Sequence, residues 1–305
     1  MTRVAAVDCG TNSIRLLVSE ATPQGPRELD RRLLITRLGQ GVDATGEFHP
    51  DALARTLAAC DEYAAVLKEL GVERVRFAAT SAARDAGNRQ AFYDGVEARL
   101  GVRPEIIPGE EEAALSFGGA LAAARSAGPV DLPALVMDVG GGSTELVLGR
   151  SDGDVSGVSL DMGSVRIRER FLHSDPPTPA EVEAATAFID GLLDGCGVDL
   201  AAARTWFGVG GTATSLAAIN LRLDAYDRAR VHGATITHAE LVALSHRLLT
   251  EPVARVLEIP TMVPGRADVI CAGTLIVQRV GERVGADLTV SEADILDGLV
   301  AGLLS

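Results

Sequence analysis

The chain has 305 residues, 47% of them hydrophobic and 23% charged, and its net charge is −14. That length suits two lobes, each with its own core, and the composition excludes a disordered chain. The acidic balance opposes broad binding to nucleic acid or an anionic membrane; no uncharged apolar run reaches the roughly 18 residues of a membrane helix, and the apolar stretch before Asp8 is too short for a signal-peptide core, so a cytoplasmic location is expected.

In chain order, residues 4–7 and 14–20 read as a hairpin, with Ile14, Leu16 and Val18 alternating toward one face. A third strand is expected over 28–38, ending in a turn at 39–41. Pro50 opens a helix to residue 70, and Gly71 stops it. A strand follows at 72–79, a helix at 89–100, a strand at 103–107 and a long helix at 110–125. The pattern then restarts: a hairpin at 134–138 and 145–149, a strand at 155–160, and helices near 165–171 and 179–193. A strand at 205–208 runs into a helix at 212–219, and further helices are expected at 238–249, 266–284 and 294–304. Strand-first halves with helical crossovers imply an α/β fold. The Gly/Pro-containing break at 128–133 is the natural boundary, giving domains 1–128 and 129–305, with the last helix free to return to the first lobe.

The restart is a repeat. VAAVDCGTNSIRLLVSE (4–20) and ALVMDVGGGSTELVLGR (134–150) superimpose without a gap at a constant offset of 130. Asp8 falls on Asp138, Gly10 on Gly140 and Ser13 on Ser143, while Arg15 stands where the second copy has Glu145. In an Asp-x-Gly turn, glycine lets backbone approach a ligand and consecutive N–H groups form an anion nest. The carboxylate can hold a divalent metal that bridges phosphate oxygens. Thr11, Asn12, Ser13, Gly140, Gly141, Gly142, Ser143 and Thr144 are therefore candidate phosphate ligands, and Asp8, Asp138 and Glu145 candidate metal ligands. A third loop, Gly210, Gly211 and Thr212, joins a strand to a helix start, a usual place for anions.

Glu110, Glu111 and Glu112 open the helix at 110–125. Favourable interaction with the helix dipole accounts for the first two. Glu112, followed by apolar residues, is the one expected to turn inward as a water-activating base. Arg84 is either a phosphate contact or a surface residue. Two readings also stand for His232, a substrate contact or a structural histidine. Arg166, Arg168 and Arg170 read as a solvated helix face or the lining of a chain-binding channel, and Arg266 carries the same ambiguity. Cys9, Cys60, Cys196 and Cys271 are scattered and imply neither a zinc site nor a disulfide framework. Lys68 is the only lysine, and the arginine-dominated positive charge suits bidentate phosphate contact.

Together VAAVDCGTNSIRLLV, RLGQGVDATGEF, ATSAARDAGN, IIPGEEEA, VMDVGGGSTELVLG, GVGGTATSL, VHGATIT and RADVICAGTLIV resemble the exopolyphosphatase/guanosine pentaphosphate phosphohydrolase family over the whole chain. The resemblance implies two ribonuclease-H-like lobes of the sugar kinase–Hsp70–actin superfamily with an interlobe cleft. It also implies Mg²⁺-dependent hydrolysis of a terminal phosphoanhydride, in inorganic polyphosphate of short chain length or in a (p)ppGpp-type substrate. It makes Glu112 and Glu145 the catalytic carboxylates, Asp8 and Asp138 the acids of the two phosphate loops, and Arg84 a phosphate contact. A stimulating monovalent cation such as K⁺ and a homodimer go with it. Pro108 departs from the family's usual Ser before the glycine, and the short two-domain form, without the C-terminal helical domains of longer relatives, is expected. A phosphotransferase of the same superfamily and a non-catalytic polyphosphate or alarmone sensor remain as alternatives. Intact Glu112 and Glu145 argue against the sensor.

Overall fold

A computed structural model describes residues 2–151 and 153–305. It divides into two compact units: residues up to Gly119 together with Ile295–Ser305, and Ala120–Asp294. The division falls inside a helix, nine residues before the Gly/Pro break at 128, and the C-terminal helix belongs to the first unit.

The first unit contains β1 (Arg3–Cys9), β2 (Ser13–Thr22), β3 (Gly25–Ile35), α1 (Val42–Thr45), α2 (Pro50–Glu69), β4 (Arg74–Ala79), α3 (Ser81–Asp85), α4 (Gln90–Leu100), β5 (Glu105–Ile106) and the start of α5 (Gly109–Ala127). Among the described residues its sheet runs in the order β3-β2-β1-β4-β5. The first three strands pair antiparallel, and β4 and β5 add in parallel. β1 is central and apolar on both faces, so both must be covered. Ala5, Val7, Cys9, Ile14, Leu16 and Phe77 pack with Tyr63, Val66 and Phe92 of α2 and α4 on one face. On the other, Val4, Ala6, Leu17 and Ala78 pack against Ile295, Leu296, Leu299 and Val300 of the C-terminal helix. An Arg31–Asp297 ion pair of 3.0 Å adds to that docking. β3, at the sheet edge, carries Arg27, Glu28, Asp30, Arg31 and Arg32, charges that discourage edge-to-edge pairing.

The second unit repeats the plan with β6 (Ala134–Val139), β7 (Thr144–Ser151), β8 (Asp154–Leu160), α6 (Ser164–Phe171), α7 (Pro179–Asp194), β9 (Thr205–Val209), α8 (Gly210–Asn220), α9 (Arg228–Val231), β10 (Thr235–Ile236), α10 (His238–Thr250), α11 (Val253–Val256), α12 (Ile270–Gly281) and β11 (Leu288–Val290); α13 (Ile295–Leu304) is the helix returned to the first unit. The order is β10-β11-β9-β6-β7-β8, so β8-β7-β6-β9 reproduces β3-β2-β1-β4 with the same antiparallel and parallel pairings. Leu135, Met137, Leu146, Leu148 and Trp206 build a core with α7, α8, α10 and α12. Capping boxes at Thr178/Glu181 and Thr237/Glu240 start α7 and α10.

The expected α/β class and duplicated hairpins are observed. The strand expected at 103–107 shrinks to two residues, and the helix expected from Arg266 begins at Ile270 after a 3₁₀ turn over Pro264–Arg266. β10 and β11 carry no sequence signal of their own, since two- and three-residue strands are defined by their partners. No helix among the described residues is long and apolar enough to cross a membrane.

Candidate active site

The two Asp-x-Gly turns have one geometry. Gly10 N–H donates to Ser13 O at 2.9 Å, and Gly140 N–H donates to Ser143 O at 3.0 Å. In each unit the segment after the third strand then takes up the turn's carbonyls. In the first, Gly39 N–H reaches Thr11 O (2.9 Å), and the N–H groups of Thr36 and Arg37 reach Asn12 O (3.2 and 3.0 Å). In the second, Ser164 N–H reaches Gly140 O (2.9 Å), and the N–H groups of Val165 and Arg166 reach Gly141 O (2.8 and 3.1 Å). Arg166 Nε donates to Gly142 O at 2.7 Å. Carbonyls held on one side turn the same peptides' N–H groups to the other, which is the arrangement of an anion nest.

The close approach needs glycine in both copies. A Cβ on Gly39 would lie 2.3 Å from Thr11 Cγ2, and one on Gly163 would lie 2.3 Å from Gly141 C. Thr11 Oγ1 is buried with no hydrogen-bond partner, as expected of a hydroxyl that serves a ligand.

The acids are divided unequally. Asp8 pairs with Arg15 across β1 and β2, and Asp138 with Glu145 across β6 and β7. Directly opposed residues of an antiparallel ladder share a face. Asp8 Oδ2 accordingly accepts from Arg15 Nε and Nη2 at 2.9 and 2.7 Å. At the equivalent place Asp138 (8% exposed) faces Glu145 (2% exposed), whose Oε1 accepts from Ser159 Oγ at 2.7 Å. Two like charges side by side repel, and the donor set suits a hard divalent cation that takes one or two carboxylates and completes its shell with water and phosphate oxygens. Among the described residues no cluster of three or more His, Cys, Asp or Glu side chains is placed to hold a metal. Asp8 is engaged by Arg15.

Asp138 also explains the third glycine loop. Gly210 has φ +74°, and a Cβ there would lie 2.5 Å from Asp138 Oδ1. The carboxylate thus sits against the N-terminus of α8, where the helix dipole favours negative charge. Arg266 lies over the next residue: a Cβ on Gly211 would be 2.4 Å from its Nη2, and its Nη1 donates to Ser215 Oγ at 2.8 Å.

Arg84 and Glu112 are 28 residues apart in sequence and in contact: Arg84 Nη1 donates to Glu112 Oε2 at 2.7 Å and to Ile107 O at 3.1 Å. β4 leads directly into α3, which carries Arg84, and β5 leads into the first turn of α5, which carries Glu112. Because β4 lies beside β1, α3 abuts the first loop: a Cβ on Gly39 would also be 3.1 Å from Ala82 Cβ. Glu111 turns away to Arg76 (2.7 Å). Glu112 is the partly buried member of the triplet's two ion pairs, at 12% side-chain exposure against 41% for Glu111.

Several expected ligands also brace the loops. Thr144 is fully buried and its hydroxyl donates to Met162 O. The Thr212 hydroxyl donates to Val139 O at 3.1 Å. His232 Nδ1 accepts from Glu292 N–H at 3.1 Å, a structural role. Arg166 is neither a solvated nor a channel-lining residue: it is buried and supports the Gly140–Gly142 turn. Sequence reasoning missed that support, and also the Arg15–Asp8 pair as a contact. The second was open to detection, because hairpin register places Arg15 opposite Asp8.

Two ribonuclease-H-like sheets, each presenting the same anion-nest turn and one carrying a carboxylate pair, define an α/β protein built to handle phosphate groups. The family model of the Ppx/GppA phosphatase family matches residues 17–302, and the chain belongs to that family. It is similar to Exopolyphosphatase 2 of Mycobacterium tuberculosis, 46% identical over 319 residues and 99% of both chains. A crystal structure of an exopolyphosphatase-like protein superimposes with a TM-score of 0.93 at 40% identity, covering 99% of this chain and 98% of the other. The Ppx/GppA family member from Aquifex aeolicus does so with a TM-score of 0.80 at 32% identity, covering 99% and 97%.

Proposed function

We propose that the protein is an exopolyphosphatase that releases orthophosphate from the end of inorganic polyphosphate, with short chains preferred. The carrying observation is Glu112, a carboxylate fixed by Arg84 at the start of α5, in the unit that carries the turn at residues 10–13. The N–H groups of the turns at residues 10–13 and 140–143 bind phosphate oxygens and meet the charge that develops on them. Glu112 orients a water and accepts its proton. The water oxygen bonds to the terminal phosphorus, the bridging P–O bond breaks, and the shortened chain leaves with the electron pair. Arg84 keeps Glu112 Oε2 in place and adds positive charge to the site. Asp138 and Glu145 are the residues that would hold Mg²⁺, which when bound supplies charge neutralisation to the phosphate oxygens. The 46% identity to an exopolyphosphatase supports polyphosphate as the substrate. Guanosine pentaphosphate on the same site is the second reading, favoured by the family's double description. A cytoplasmic homodimer completes the proposal.

The test is orthophosphate release with Mg²⁺ from polyphosphates of several lengths, guanosine pentaphosphate and ATP, for wild type and Glu112→Gln. General-base loss lowers turnover by about 10²–10⁴-fold, with substrate binding retained. Turnover of Glu112→Gln within a few-fold of wild type refutes the assigned role, and faster release from guanosine pentaphosphate than from polyphosphate selects the second reading.

A further inference from the structure

α13 shares one apolar cluster with the first sheet, and a residue from either side of Glu112 belongs to it: Ile107, 2% exposed, and the partly buried Leu115. Ile107 O is the carbonyl that accepts from Arg84 Nη1. The next carbonyl, of Pro108, accepts from Glu112 N–H at 3.0 Å. Leu115 stands three residues after Glu112 on α5, on the neighbouring turn of the same side of the helix. The last helix of the chain therefore packs against the segments that fix both members of the Arg84–Glu112 pair.

A second, independent observation lies in the backbone. α13 meets α5 at Gly298, where a Cβ would lie 2.4 Å from Leu115 O, 3.0 Å from its C and 3.2 Å from its Cα. Non-bonded contacts settle at about 3.5–4 Å, so a side chain at 298 displaces one of the two helices by about 1 Å. No rotamer relieves the contact, because all three atoms are backbone. α13 is held on the sheet by Ile295, Leu296, Leu299 and Val300, none more than 2% exposed, and by the Arg31–Asp297 ion pair. The displacement thus falls on the first turns of α5. Gly302, one turn further along α13, is exposed, and a Cβ there would have nothing within 4 Å.

We propose that Gly298 is a positioning residue for the reaction: its missing side chain lets α5 seat Glu112 against Arg84. A carboxylate near the middle of the chain then takes its place from the C-terminal helix. The inference rests on the reading of Glu112 as the base and extends it to what holds that base.

The experiment compares Gly298→Ala and Gly302→Ala with wild type for phosphate release from polyphosphate with Mg²⁺, each alone and combined with Glu112→Gln. Both substitutions put alanine for glycine in one helix and gain in helix propensity, so the contact with Leu115 is what distinguishes them. Gly302→Ala is expected to keep kcat within about twofold of wild type and to melt no lower. Gly298→Ala is expected to lower kcat about 10²-fold, as a misplacement of about 1 Å does, with KM changed less than about threefold. In the Glu112→Gln background its further effect on kcat is expected to stay below about threefold, because the group it positions is already lost. Equal losses in the two backgrounds mean that Gly298 serves the fold alone and overturn the proposal, as does kcat of Gly298→Ala within about threefold of wild type. If Gly298→Ala does not fold, Ile107→Val, which removes one methyl from the α13 cluster, goes through the same cycle. A loss confined to the background that keeps Glu112 supports the proposal, and equal losses, or none, overturn it. Turnover of Glu112→Gln alone within a few-fold of wild type is a different outcome, and defeats the underlying reading instead.

Discussion

Replacing Gly163 by alanine tests whether the nest geometry is held from behind. Gly163 has φ −125° and ψ 167°, which alanine adopts without strain, so any effect is steric. The new Cβ would lie 2.3 Å from Gly141 C and 2.4 Å from both Gly141 O and Gly142 N. Non-bonded carbon atoms settle at about 3.5–4 Å, so the turn has to move by about 1 Å. All three obstructing atoms are backbone, and no rotamer change relieves them. A misplacement of about 1 Å at a positioning group costs about 10²-fold in rate, while overpacking of this kind costs about 1–3 kcal/mol of stability. Phosphate release and thermal melting on the same preparation are therefore expected to show kcat/KM down about 10²-fold with a still cooperative melt. The first unit supplies the contrast. Gly39→Ala meets Thr11 Cγ2 at 2.3 Å, but the next atoms, Thr11 Cβ and Ala82 Cβ, stand at 3.1 Å. Thr11→Ser removes that methyl and keeps the hydroxyl, so the double variant is expected to recover activity that Gly39→Ala loses, a coupling read by a double-mutant cycle. Gly163→Ala within threefold of wild type, or no recovery on adding Thr11→Ser, refutes the argument that these glycines set the turns.

Two further outcomes follow from the ionisable groups. Glu181 accepts from Thr178 N–H, and also from Ser174, which lowers its carboxyl from 4.5 to about 2. A depressed carboxyl stabilises the fold above its unfolded value, and that contribution is lost as pH falls through the folded one. The melting-temperature gap between wild type and Glu181→Ala is thus expected to close between about pH 4.5 and 2, and a gap that stays constant across that range sinks the cap assignment. Burial raises the Cys9 thiol well above its ordinary value and pushes Cys60 up to about 12. Alkylation of the native protein at pH 8 is expected at the partly exposed Cys196 first, with Cys9 and Cys60 reacting only on unfolding; mass spectrometry showing early labelling of Cys9 contradicts the packing of β1.

Much of the fold was legible because its signals are local. The hairpins show a period of two, the first long helix has Pro50 at its start, and the gapless repeat of 4–20 in 134–150 states the duplication outright. Glu112, Glu145 and both Asp-x-Gly turns could likewise be named from residue type and spacing, together with the family resemblance. Boundaries and partners were not legible. The division inside α5 and the docking of α13 on β1 depend on apolar faces finding each other across the chain. Thr144 and Thr212 are hydroxyl residues at the right positions, yet both donate to nearby carbonyls, because a buried hydroxyl takes whichever acceptor packing brings within reach. The amino-acid sequence by itself determined that two Asp-x-Gly turns exist, and that one carries Arg15 where the other carries Glu145. Tertiary structure decided what those residues face: Asp8 neutralised by Arg15, Asp138 set beside Glu145 and against Gly210, and Glu112 held by Arg84. The reason is physical: residue type and local pattern are properties of neighbours along the chain, whereas the pairing of charges depends on distances that exist only once strands are in register and helices are packed.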